Sequence, residues 1–191
     1  NELLGSLRRG LLFGVALQAA DSGALQISKE QRIDLTDDLA LAEERRSAAD
    51  RCLDEAVAEL DQHGIETCVL HGAANAALDY NDSGIRLYDT LHLLVSSTQR
   101  EEAVTALVER GILRSDGAQR GSRRRTAFAF LSKDGVRVMV YTSLAPRHFG
   151  ATVEADVLFP SRITLTPRSV TLSALAGEER LIAACVHARL N

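Results

Sequence analysis

A chain of 191 residues fits one domain, or one domain with a small helical appendage. Its 46% hydrophobic content is that of an ordinary globular protein, and no run approaches the roughly 18 unbroken apolar residues that a membrane span needs. The net charge of −4, with 22 Lys and Arg against 26 Asp and Glu, speaks against a general nucleic-acid binder, which would be basic.

The first predicted element is a helix from Leu3 to Ala20, with Leu4, Leu7, Leu11 and Leu12 near one face. Its apolar part, Leu11 to Ala20, is interrupted by Gly14 and Gln18. It is too short for a membrane span, and no clear cleavage site follows it. Asp21-Ser22-Gly23 breaks the helix. Glu30 to Leu41 is acidic and reads as a second helix or a loop. A strong helix follows from Asp38 to Gln62, where Ala49, Leu53, Ala56, Val57 and Leu60 recur at the helical period. Gly64 supplies its stop, with His63 at the helix end where a positive charge suits the dipole.

From Ile65 the pattern changes. Ile65 to Leu70 is a short β-branched strand, and Ala73 to Leu78 a short helix. Asn81 to Gly84 is turn chemistry, and Leu91 to Val95 is a second strand. Thr98 to Glu109 is a helix stopped by Gly111. Arg125 to Leu131 and Val136 to Tyr141 form a hairpin around Ser132-Lys133-Asp134-Gly135, with Val136, Val138 and Val140 alternating inward. Arg162 to Leu165 and Val170 to Leu172 are two further short strands. A helix from Gly177 to Leu190 closes the chain, with Leu181, Ile182, Cys185 and Val186 as its apolar face. The reading is an α+β (α/β-like) domain over 64–191, capped by an N-terminal helical region over 1–63.

The three cysteines, Cys52, Cys68 and Cys185, are odd in number and widely spaced, each in an apolar segment. They read as buried free thiols of a reducing, cytoplasmic protein. No metal-ligand spacing links them.

The segment His63 to Val95 resembles a bacterial family of uncharacterised nucleotidyltransferases within the polymerase-beta-like superfamily. The resemblance rests on Gly64-Ile65, Val69-Leu70-His71-Gly72-Ala73-Ala74, Leu78-Asp79-Tyr80, Gly84-Ile85-Arg86 and Leu91-His92-Leu93-Leu94-Val95. The closing Leu172 to His187 resembles the family's last helix. The resemblance implies a mixed sheet with flanking helices and an N-terminal helical cap. It also implies a two-metal site that transfers a nucleotide.

This sequence departs from that site. The family's first motif usually reads Leu-Lys-Gly, and His71 stands at the Lys. Its last motif reads Asp-hydrophobic-Asp, and Thr90 and His92 stand at the two Asp. Two Asp at i and i+2 on a strand share one face and reach one metal pair. Thr is a neutral, poor ligand, and His suits Zn²⁺ better than Mg²⁺. The third carboxylate is missing from Gly135 to Thr142, where Met139 or a neighbour takes its place. Asp89 lies one residue early, so strand alternation would turn it away from Thr90.

The expected protein is therefore a nucleotidyltransferase-fold module that has lost catalysis. Its nucleotide-binding residues are His71, Gly72, Ala73, Arg86, Thr90 and His92, and no resident metal is expected. The alternative is an active enzyme using displaced ligands such as Asp89, which alone would call for Mg²⁺. The expected partner is a nucleotide or a protein, without membrane. His71 and His92 would be neighbours if their strands pair. His148 and His187 read as structural. The basic run Arg120 to Arg125 reads as a solvated loop.

Overall fold

The computed structural model describes residues 2–80, 85–114, 127–144, 153–167 and 170–190, leaving out the side chains of 2–4, 9 and 188–190. The expected basic loop, the turn at Asn81 to Gly84 and His148 lie outside these residues.

The first helical stretch is two helices, α1 (Glu2–Gly10) and α2 (Phe13–Asp21), rather than the single one expected. The break is at Leu11, whose φ of 50° is left-handed. Both helices contact the next one, through Arg8 on Asp38 and Asp21 on Arg32. α3 (Lys29–Gln62) runs unbroken for 34 residues, about 50 Å at the helical rise. The acidic stretch at Glu30 is thus its first turn. Ser28 caps it: its hydroxyl accepts from the Gln31 amide at 3.2 Å, and Gln31 Oε1 accepts from the Ser28 amide at 2.8 Å. Its C-terminal turn ends at Gly64, with a φ of 66° that favours glycine.

Six strands form one mixed sheet: β1 (Thr67–Val69), β2 (Thr90–Val95), β3 (Ala127–Leu131), β4 (Arg137–Tyr141), β5 (Ile163–Leu165) and β6 (Leu172–Ala174). Their order is β3-β4-β2-β1-β6-β5. β2 and β4 are parallel, as are β1 and β6, and the other pairs are antiparallel. α4 (His71–Leu78) joins β1 to β2, and α5 (Arg100–Glu109) follows β2. A short helix, α6 (Ala155–Leu158), and a 3₁₀ turn at Phe159–Ser161 precede β5. Neither was expected from the sequence. α7 (Gly177–Leu190) closes the chain.

Strand alternation sorts the apolar residues onto two faces. On one, Leu91, Leu93 and Val95 of β2 and Val138 and Val140 of β4 pack with Ala49, Cys52, Leu53, Ala56 and Leu60 of α3 and Leu107 of α5. Each fully buried Leu of this set contributes about 1.5–3 kcal/mol. The second half of α3 therefore shares its core with the sheet. On the opposite face, Cys68, Leu70 and Leu94 pack under Leu158, Phe159 and Ala183. A third cluster holds Phe13 and Ala16 against Leu35, Ala42 and Leu87.

Two expectations for α7 and the cysteines are corrected. Leu181 and Ile182 are 66% and 53% exposed, and Cys185 is exposed. The side that α7 sets against the domain carries Ala183, Ala184 and His187 instead, because small side chains let the helix approach closely. Cys52 and Cys68 are buried, and burial raises each thiol to about 11, which leaves them protonated and inert.

Candidate functional site

The second sheet face opens into a cleft of about 710 Å³ at the starts of β2 and β4. In the β2–β4 register Thr90 pairs with Arg137, His92 with Met139 and Leu94 with Tyr141. Those residues share a face. Thr90, His92, Arg137, Met139 and Tyr141 all line the cleft, with His71, Gly72, Asn75, Arg86 and Asp89. The expected site residues His71, Gly72, Arg86, Thr90 and His92 are thus brought together. Ala73 is not a lining residue; it is buried in the core beneath.

β1 ends at Val69, and His71 turns the chain into α4 with a φ of 53°. A non-glycine residue in this region costs of order 1–3 kcal/mol. Gly72 cannot be larger, since a Cβ there would stand 2.6 Å from Cβ of Tyr88. Tyr88 in turn donates its hydroxyl proton to Asp50 of α3. The segment leading into β2 is therefore pinned between α3 and α4.

The cleft floor is a set of packed rings. His71 meets His187 in a stack at 4.3 Å between centroids, and His92 edge-on at 4.9 Å. His92 and His187 are 5.3 Å apart. Tyr141 stacks on His92 at 5.7 Å, and its hydroxyl is 3.1 Å from Nδ1 of His92, a hydrogen bond whose direction follows the imidazole tautomer. His187 is thus a cleft residue and not only a packing one.

Burial, then the neighbouring His187, lowers His71 to about 4. Burial, then His71 and His187, lowers His92 to about 3. His187 is lowered by burial and by Arg86. Burial pushes Tyr141 up to about 12. At neutral pH the floor carries no charge.

Asp89 precedes the first residue of β2, so strand alternation does not govern it. Contrary to expectation it lines the cleft, and its carboxylate accepts from Thr90 Oγ1 at 3.1 Å. It is the one carboxylate among the described lining residues. Arg86 donates from Nη1 to the carbonyl of Leu87 at 2.9 Å. Among the described residues, no three His, Cys, Asp or Glu side chains are placed to hold a metal ion. The Mg²⁺ pair that this fold implies does not fit. Among the described residues, one carboxylate beside Thr90 and His92 does not supply the oxygen ligands that two such ions require.

Sequence reasoning missed Arg137, Tyr141 and His187. The first two were within reach: if Val136, Val138 and Val140 point to the core, Arg137, Met139 and Tyr141 must point the other way.

A further contact ties the two halves of the motif. Arg180 Nη2 of α7 lies 2.5 Å from Asp79 Oδ1 just after α4, and its Nη1 donates to the Leu175 carbonyl at 3.2 Å.

A protein of Thermotoga maritima described as a candidate nucleotidyltransferase has a similar structure, with a TM-score of 0.58 at 14% identity, covering 76% of this chain and 88% of that one. The lincosamide antibiotic adenylyltransferase LnuA, with lincomycin bound, aligns at a TM-score of 0.52 and 8% identity, covering 69% of this chain and 83% of that one. At these identities the likeness establishes the fold. No curated protein matches in sequence. The model of one family, described as uncharacterised nucleotidyltransferase, matches residues 2–190. With that match running through both motif halves and the whole sheet, the chain belongs to the uncharacterised nucleotidyltransferase family.

Proposed function

We propose that this chain is a catalytically degenerate member of its family and acts as a binding, regulatory or scaffold module. One observation carries this reading. The cleft is formed and lined, yet the paired positions that should bear two metal carboxylates hold Thr90 and His92, leaving Asp89 as the one carboxylate among the described lining residues. Two-metal transfer needs the ions to activate the attacking hydroxyl and to bear the triphosphate charge. A single carboxylate leaves both tasks without a means.

The test is an assay of nucleotide transfer from radiolabelled NTPs, with Mg²⁺ or Mn²⁺ and a broad set of acceptors. The expected result is no transfer above background. Metal-dependent transfer to any acceptor would sink the reading.

The competing reading, an active metal-dependent nucleotidyltransferase with displaced ligands, has one observation in its favour: Asp89 lines the cleft beside Thr90. Under that reading Asp89→Ala abolishes transfer. If transfer were found and survived this substitution, Asp89 would have no part in it.

A further inference from the structure

The misfit between this cleft and divalent metal has a counterpart in its cations. In a two-metal site the ions supply the positive charge that meets the phosphates. Here charge of the same sign comes from side chains. Arg137 opens β4 beside Thr90 in the strand register, on the face where the metal pair would be held. It lines the cleft together with Arg86. No hydrogen bond or ion pair engages its guanidinium among the described residues. Arg86 commits one N–H to a backbone carbonyl. Among the described lining residues Asp89 is the one opposing charge, and it is exposed. The imidazole floor between them is polar and uncharged. A planar guanidinium offers paired N–H donors that match two phosphate oxygens, which a neutral Thr or a depressed His cannot do.

We propose that the cleft binds a nucleoside triphosphate through its phosphate chain without a divalent ion, Arg137 and Arg86 taking the charge that Mg²⁺ would otherwise neutralise. This rests on the reading of the cleft as a nucleotide-binding remnant. Mg²⁺ chelated by the triphosphate covers the oxygens that the arginines need, so it competes with them. Binding is then at least as tight in EDTA as in Mg²⁺.

The experiment is calorimetric titration of ATP, GTP, CTP and UTP into the full chain, once in EDTA and once in excess Mg²⁺. The same titrations are run on Arg137→Gln, and on Arg110→Gln, whose partner Glu59 lies on α3 away from the cleft. Inorganic tripolyphosphate is the competitor that separates phosphate recognition from base recognition. The expected result is binding in EDTA, no gain from Mg²⁺, displacement by tripolyphosphate, and about a tenfold or greater loss in Arg137→Gln with Arg110→Gln unchanged. Circular dichroism checks that both variants are folded. Binding seen only with Mg²⁺ overturns the metal-free inference while leaving a nucleotide cleft. Metal-free binding unchanged in Arg137→Gln, or not displaced by tripolyphosphate, overturns the assignment to the phosphate chain. No binding in either condition overturns the inference and leaves the scaffold role, which the transfer assay tests separately.

Discussion

His71 and His187 stack at 4.3 Å, joining the turn after the first strand to the last helix of the chain. Both imidazoles are held neutral, and His92 at 4.9 Å from His71 makes a third. In the unfolded chain these rings take up a proton near 6.5, the ordinary histidine value.

That difference sets a pH dependence. A lowered folded pKa means that the unfolded state binds more protons below 6.5, so stability rises with pH there. The contribution of His71 and His92 is complete above 6.5 and is lost as pH falls toward about 4 and about 3. The expected loss is roughly 2 kcal/mol per histidine between neutrality and about pH 5. Urea midpoints measured from pH 7.5 downward would show it. His92→Phe should flatten the slope, and an unchanged slope would count against the buried neutral trio.

The Asp79–Arg180 pair should fasten α7 to the end of α4. Asp79 is 40% exposed, so solvent weakens the pair, whereas Arg180 at 16% is left poorly solvated when its partner is removed. Asp79→Ala is expected to cost about 1 kcal/mol. Amide exchange should quicken over α7 and little elsewhere. Uniform protection in the variant would mean that packing alone holds the helix.

Gly72→Ala should destabilise by about 1–3 kcal/mol through overpacking. The added methyl would meet Tyr88, which cannot retreat because its hydroxyl is bonded to Asp50. Thermal unfolding measures the loss. The double variant with Tyr88→Gly should show no further penalty from the methyl, since the Cβ it would meet at 2.6 Å is gone, whereas Tyr88→Ala keeps that atom and should not relieve it.

Ser28→Ala removes the reciprocal cap of α3 and should cost about 1 kcal/mol. Ser28→Asp should keep most of the stability, since a carboxylate accepts the same amide proton. Far-ultraviolet circular dichroism and thermal midpoints distinguish the two.

Much of this architecture was legible in the sequence, for identifiable reasons. The β3–β4 hairpin announced itself through Val136, Val138 and Val140 and the Ser-Lys-Asp-Gly turn, whose Gly135 has a φ of 77°. β2 and the second half of α3 were strongly periodic. The length of α3 was not legible, because its first turns are largely polar, start at a cap and bury only isolated apolar residues such as Leu35 and Ala42 against α2. The break at Leu11 was hidden because a left-handed leucine carries no sequence signal. α7 misled because its larger apolar residues, Leu181 and Ile182, face outward while alanines pack. Within the site, the loss of the paired carboxylates could be read directly from Thr90 and His92. The placement of His187 could not, since nothing local says which distant strand end a closing helix will cross.

The cleft wall is drawn from both ends of this chain. Gly10 and Leu11, at the corner of the first two helices, line it, as do Ala184 and His187 of the last. An occupant large enough to span the cavity from Gly10 to His187 would touch the first and last helices at once and clasp them to the sheet. Occupancy should thus be readable from outside, as a narrowing of the distance distribution between a label on α1 and a label on α7.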